Sequence, residues 1–211
     1  MLAAEMNRAD ELDEEEEKKR SSRLDVYDWI QSIVSTLIIV ILAFIFIGRQ
    51  IGVDGTSMRD TLHDADSVFV TGLFYTPHYG DIIIIKVDAY NDKPLVKRVI
   101  ANEGQTIDIN FDTSEVIVDG KVLYEPYIKE PTRVSLDFSG EVTVPEGCVF
   151  VMGDNRNASR DSRDMEIGFI DVRNVIGKVH FILFPGGTKA DSAVTAPRDW
   201  SRIGSVYKTL P

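Results

Sequence analysis

Hydrophobic and polar positions divide the chain into three regimes. Residues 1–28 carry few apolar side chains and much charge, including the run Asp13-Glu14-Glu15-Glu16-Glu17 followed by Lys18-Lys19-Arg20 and Arg23. That is too little apolar surface to offset the entropy of ordering, and a solvated tail is expected. From Trp29 to Gly48 no residue is charged, and only Gln31, Ser32, Ser35 and Thr36 interrupt the Ile, Val, Leu and Phe. As a helix rising about 1.5 Å per residue this stretch reaches about 30 Å, the thickness of a bilayer's hydrocarbon core. A core helix normally keeps a polar edge, whereas Leu37 to Ile47 is apolar on every face. A transmembrane helix over 29–48 is therefore expected. A cleaved signal peptide needs a small-x-small site after its apolar region. Gly48-Arg49-Gln50-Ile51 supplies none, so the segment reads as a retained anchor.

Beyond residue 48 the pattern changes to short apolar runs: Ser67 to Val70, Ile82 to Val87, Leu95 to Ile100, Thr106 to Ile109, Glu115 to Val118, Val149 to Met152 and Val175 to Phe184. Runs of this length, rich in Ile and Val and separated by turn signals, predict strands. Asp119-Gly120 between Val116-Ile117-Val118 and Lys121-Val122-Leu123 predicts a two-residue hairpin. No repeat and no long helical period follows residue 50, so residues 49–185 are expected to form a mainly β domain, an antiparallel coiled sheet or barrel-like set of strands. Residues 186–211 lose the strand pattern and read as a mobile C-terminal tail.

Composition sharpens this division. The 211 residues carry 34 acidic and 23 basic side chains, a net charge of −11, with 44% hydrophobic and 9% aromatic residues. Those fractions exclude a disordered protein, and an acidic chain lacks the clustered basic surface of a nucleic-acid binder. The single Cys148 cannot close an intrachain disulfide or form a zinc site, and reads as a small buried hydrophobe. Lys18, Lys19, Arg20 and Arg23 precede the apolar segment, against Arg49 and Arg59 after it. This places the N-terminus in the cytoplasm and residues 49–211 outside.

Familiar hydrolase signatures are missing: there is no Gly-x-Ser-x-Gly elbow, no His-Glu-x-x-His and no phosphate-cradling loop. His63, His78 and His180 sit in unrelated contexts. Three stretches are unusually polar beside apolar strands: Val53-Asp54-Gly55-Thr56-Ser57-Met58-Arg59-Asp60-Thr61-Leu62, then Val96-Lys97-Arg98-Val99-Ile100, then Met152 through Arg163. Together they resemble the boxes of the type I signal peptidases, membrane-anchored serine proteases. Gly55-x-Ser57-Met58 matches the nucleophile box and Lys97-Arg98 the general-base box. Gly153-Asp154-Asn155-Arg156 with Ser159 and Asp161-Ser162-Arg163 matches the last box, and Gly80-Asp81 before Ile82 fits a fourth. The resemblance runs in order over about residues 25–185, anchor included, and the interval from Ser57 to Lys97 looks like that of the compact Gram-positive type.

The resemblance implies a Ser-Lys pair. A Ser hydroxyl needs a neighbouring base, and burial between Leu95-Val96 and Val99-Ile100 lowers a lysine's pKa toward the working range. On the strand pattern alone Lys97 is an ordinary surface lysine; the box match makes it the base. The resemblance also implies that Ser159 orients the Lys97 amine and that Val53, Leu62, Leu95 and Val96 form shallow pockets for small side chains. Those four equally fit ordinary core positions. Met58 reads as a packing anchor beside the nucleophile, and Arg98, Asp154, Arg156, Asp161 and Arg163 as ion-pairing support. Ser57 N–H is expected to donate to the oxyanion. Gly55 lacks the hydroxyl some family members use there, leaving Thr56 or a water as second donor. Asp60 stands where the family usually has Pro, which alters a turn.

The expected activity is endoproteolytic removal of signal peptides from exported preproteins at the outer face of the plasma membrane. The partners are those preproteins and the lipid bilayer, with no cofactor and no metal. Ser57 follows Gly48 by nine positions, within about 30 Å of the span's outer end at about 3.3–3.6 Å per residue. Phe74-Tyr75 reads either as a lipid-headgroup contact or as a core or turn pair. Two alternatives stand beside this reading: a self-cleaving Ser-Lys protease, and an anchored β module that binds without catalysis.

Overall fold

The computed structural model of the chain describes residues 26–42, 48–87, 93–187 and 197–207. The chain divides into two units, residues 1–46 and residues 47–211. In the first, residues 26–42 are helical and exposed throughout, and the Thr36 hydroxyl donates to the Ser32 carbonyl at 2.8 Å. No described helix is long and apolar enough to cross a membrane. Residues 43–47 of the segment expected to span, and all but the last three residues of the expected tail 1–28, lie outside the described residues.

The second unit is mainly β, and its strand pairs are antiparallel. Its strands are β1 (Arg49–Gly52), β2 (Ser67–Thr71), β3 (Ile82–Ile85), β4 (Leu95–Asn102), β5 (Thr106–Asn110), β6 (Glu115–Val118), β7 (Lys121–Val122), β8 (Val142–Thr143), β9 (Cys148–Met152), β10 (Ile170–Asp171), β11 (Val175–Phe184) and β12 (Gly204–Ser205). The larger sheet has the order β1-β2-β11-β3-β4-β9-β10, with β12 also on β11. The smaller has the order β7-β6-β5-β8. The larger sheet is open: among the described residues no pairing joins β1 to β10.

Side-chain alternation explains why the central strands are apolar throughout. In β3, Ile82 and Ile84 enter one core cluster and Ile83 and Ile85 another, so both faces of the sheet are covered and the strand reads as an unbroken Ile run. In β9, Phe150 and Met152 join the cluster that lies against the smaller sheet, while Val149 and Val151 pack with Ile83 and Ile85. A register shift between Val99 and Ala101 of β4 marks a bulge, and Ile100 and Ala101 both enter the second cluster. At the β6–β7 turn Asp119 and Gly120 have φ of 50° and 71°, the left-handed pair that a tight hairpin requires.

Within the expected tail 186–211, residues 204–207 are held against the sheet. Gly204 and Ser205 pair with Ile182 and Phe181 of β11. Val206 is buried, and the Tyr207 hydroxyl donates to the Val179 carbonyl at 2.9 Å. Pairing with β11 and the core cluster that takes in Val206 and Tyr207 hold this segment, a long-range cause that local pattern does not carry.

Candidate active site

Ser57 lies in the loop between β1 and β2. The loop is closed where Val53 N–H donates to the Asp66 carbonyl at 2.7 Å and Ala65 N–H donates back to the Val53 carbonyl at 2.9 Å. Inside it, Gly55 takes a φ of 98°, a conformation that favours glycine, and its N–H donates to Asp64 at 2.9 Å. Met58 and Leu62, 1% and 0% exposed, pin the loop into the first core cluster. The Arg59–Asp60 peptide is cis.

Lys97 is on β4, paired opposite Ile83 and only 2% exposed. Its Nζ lies 2.9 Å from Ser57 Oγ. Burial lowers its pKa to about 8; Asp161 and Asp154 work against that shift and Arg163 adds to it. A minor but usable fraction of neutral amine is thus available near neutral pH, beside a hydroxyl that it can deprotonate.

The turn after β9 packs against the Ser57 backbone. Asn155 N–H donates to the Ser57 carbonyl at 2.9 Å, and Asn155 Nδ2 donates to the Thr56 carbonyl at 3.0 Å. Ser159 is buried nearby, and its Oγ has no hydrogen-bond partner, so the expected bond to the Lys97 amine is not among those formed. A β-carbon on Gly153 would meet both Ser159 Oγ and the Ser57 carbonyl oxygen, which places Ser159 against the backbone of Ser57.

Three buried arginines brace these elements. Arg98 forks onto Asp154 at 2.8 and 2.6 Å, donates to the Gly80 carbonyl at 2.8 Å and lies 3.9 Å from the Tyr127 ring centre. Asp154 also accepts from the Thr61 hydroxyl at 2.5 Å, which ties the loop of Ser57 to the strand of Lys97. Arg163 forks onto Asp161 at 2.8 and 2.9 Å, and Asp161 accepts Gly153 N–H at 2.9 Å. Arg156 pairs outside the boxes, with Glu125 at 2.7 and 2.5 Å and with the Thr132 hydroxyl at 3.0 Å. All three pairs are buried. In such surroundings the two charges and their remaining hydrogen bonds must be satisfied together.

The four expected pocket residues separate. Val53, Leu62 and Val96 share one cluster with Met58, whereas Leu95 packs with Ile83, Ile85 and Tyr75. Strand alternation is the reason: Leu95 and Lys97 share one face of β4, Val96 and Arg98 the other. Phe74 is 96% exposed, while the Tyr75 hydroxyl turns inward and donates to Asp81 at 2.7 Å. Asn155, Thr61, Glu125 and Tyr127 are contributors that sequence reasoning left unassigned. Asn155 sits inside a quoted box; Glu125 and Tyr127 lie in a stretch without periodicity, where no local signal marks them. Among the described residues no cluster of His, Cys, Asp or Glu is arranged to hold a metal ion.

Residues 26–184 match the family model "Signal peptidase, peptidase S26". A signal peptidase I of Bacillus licheniformis is 37% identical over 183 residues, covering 81% of this chain and 95% of that one. A probable signal peptidase I-1 of Synechocystis is 34% identical over 186 residues, covering 83% and 86%. A crystal structure of a signal peptidase I from Enterococcus faecalis aligns with a TM-score of 0.41 at 30% identity, over 49% of this chain and 97% of the other. The extent of the family match, across the loop of Ser57, the strand of Lys97 and the turn after β9, means that this chain belongs to the signal peptidase family, peptidase S26.

Proposed function

We propose that the chain is a membrane-anchored endopeptidase that removes signal peptides from exported preproteins, with Ser57 as nucleophile and neutral Lys97 as general base. The observation that carries this reading is the 2.9 Å approach of a buried amine, its pKa lowered to about 8, to the serine hydroxyl. Neutral Lys97 accepts the Ser57 proton as Oγ bonds to the scissile carbonyl carbon. The resulting ammonium then protonates the departing amine as the C–N bond breaks. A water, deprotonated by the same amine, hydrolyses the acyl-enzyme and restores Ser57.

Ser57 N–H, which donates to no backbone carbonyl among the described residues, is assigned to the oxyanion. Ser159 Oγ, buried beside Ser57 without a partner, is assigned to orienting the Lys97 amine once substrate excludes water. Val53, Leu62, Leu95 and Val96 are assigned to the pockets for the small side chains before the cut. Arg98, Asp154, Arg156, Asp161 and Arg163 keep the loop, strand and turn in register. Residues 29–48 are assigned as the span, with the N-terminus cytoplasmic and residues 49–185 the extracytoplasmic catalytic domain. Confinement of enzyme and substrate to one surface raises their effective concentration without new contacts.

The test is cleavage of a preprotein by Ser57→Ala and Lys97→Ala chains with unchanged thermal transitions. Loss of turnover in both is expected, and full activity in either overturns the assignment. Failure of a β-lactam-like acylating probe to label Ser57 in the unaltered chain would favour a binding module instead.

A further inference from the structure

Residues 197–207 contribute nothing to the Ser57–Lys97 pair, yet they grip the loop that carries Ser57. The hub is Asp66, fully buried at the loop's neck. Its carboxylate accepts His63 N–H at 2.7 Å, Gly186 N–H at 2.7 Å and the two terminal nitrogens of Arg202 at 2.9 and 2.6 Å. Arg202 Nη2 also lies 3.5 Å from the Thr61 carbonyl, on the limb that runs from Ser57 back to Asp66. The Thr61 hydroxyl in turn donates to Asp154, which holds Arg98, the neighbour of Lys97.

The segment has its own anchorage. β12 pairs with β11, Val206 enters the cluster of Met58 and Leu62, and the Tyr207 hydroxyl accepts Ile82 N–H at 3.0 Å. Between this segment and the loop lies a cavity of about 260 Å³ whose lining includes Asp60, Thr61, Tyr127, Arg202, Ser205 and Val206. The cavity interrupts packing beside Thr61, and alongside the apolar contact of Val206 in the shared cluster the guanidinium is a polar link from the anchored segment to the loop. A planar fork can meet a carboxylate and reach a carbonyl at once, which an ammonium cannot reproduce.

We infer that Arg202 is a positioning residue for Ser57: by holding Asp66 and Thr61 together it keeps the Ser57 hydroxyl within reach of the Lys97 amine. The inference rests on the assignment of Ser57 and Lys97 as the reacting pair. A small displacement of a nucleophile costs turnover far more than substrate binding.

The experiment uses the full chain in lipid vesicles, with Ser57 titrated by a β-lactam-like acylating probe and preprotein cleavage expressed per labelled Ser57. Arg202→Met keeps the aliphatic stem and removes the fork. Its kcat per labelled site is expected to fall about tenfold or more with KM within about threefold, and Arg202→Lys to recover part of the loss. The acidic limb of the pH profile should stay in place, because the surroundings of Lys97 are intact. Unchanged kcat per labelled site in Arg202→Met overturns the inference, as does a loss of activity accounted for entirely by fewer labelled sites. If Arg202→Met does not fold, Arg202→Lys decides: wild-type turnover per site overturns the inference, and a reduction of about threefold or more at constant KM supports it. Failure of the unaltered chain to label at Ser57 sinks the underlying assignment and this inference with it.

Discussion

The carbonyl oxygen of Ser57 stands 2.5 Å from the point where Gly153 would carry a β-carbon, with Ser159 Oγ 2.3 Å from the same point. The end of β9 thus approaches Ser57 backbone to backbone, and Asn155 N–H completes the contact by donating to that carbonyl at 2.9 Å. Glycine at 153 is the condition for this approach. Ser57 is consequently held from two directions, by the Lys97 amine at its hydroxyl and by the β9 turn at its carbonyl.

Substituting Gly153→Ala forces that contact apart. A methyl group can turn the Ser159 hydroxyl aside, but Ser159 Cβ at 2.6 Å and the Ser57 carbonyl at 2.5 Å are fixed to main chain and move only with it. Overpacking of this kind costs about 1–3 kcal/mol, a loss that leaves the domain folded. Cleavage per folded molecule is expected to fall at least tenfold, since an ångström of misplacement can cost about a hundredfold. Circular dichroism melting together with the rate of Ser57 acylation checks this; normal acylation in the variant would contradict the tight contact.

The pH dependence of cleavage follows from the state of Lys97. Only the neutral amine can accept the Ser57 proton, and burial brings its pKa down to about 8. Plotted against pH, kcat/KM should therefore rise through about 8 and fall off on the acidic side as the ammonium forms. Asp161 favours the ammonium and Arg163 opposes it. Asp161→Asn removes the first influence and leaves the second, so the acidic limb should move to lower pH. That variant also strands buried Arg163, a loss of about 3–5 kcal/mol, and the profile is best taken well below its melting temperature. A limb that stays fixed or moves to higher pH would count against this electrostatic account.

What local pattern could reveal, it revealed at the centre of the sheet. The four-Ile run of β3 and the Asp119-Gly120 turn are products of burial on two faces and of left-handed φ, and both leave marks on neighbouring residues. Gly204-Ser205 of β12 leaves none, because its place is decided by the open edge of β11. Arg202 and Asp66 meet across 136 positions, and Glu125 meets Arg156 across 31, separations at which no spacing rule operates. The division of Leu95 from Val96 is a different case. Their strand was evident, and alternation assigns them to opposite faces, so the two side chains pack in different clusters and face different sides of the sheet. Ser57 and Lys97 stood out through the combination of boxes, whereas their approach to 2.9 Å depends on how loop and strand pack.

Burying an amine for catalysis should cost the fold measurable stability, and replacing Lys97→Met should recover it. In the unfolded chain Lys97 titrates near 10.5, and in the folded chain near 8. Between those values the unfolded chain binds more protons, so the stability of the unaltered protein rises with pH across the window. Below about 8 the full burial cost is present; above about 10.5 it is gone. A shift of this size corresponds to roughly 3 kcal/mol, or a melting temperature raised by about 10 °C in Lys97→Met at pH 7 for a domain of this size. Met fills a similar volume and does not titrate, so the difference between the two proteins isolates Lys97 from every other group that changes charge. That difference should shrink as pH rises from 8 to 10.5, with no cleavage by the variant at any pH. A difference in denaturant midpoint that stays flat across this range would show that the amine is not desolvated in the folded protein, and the proposed base would lose its physical basis.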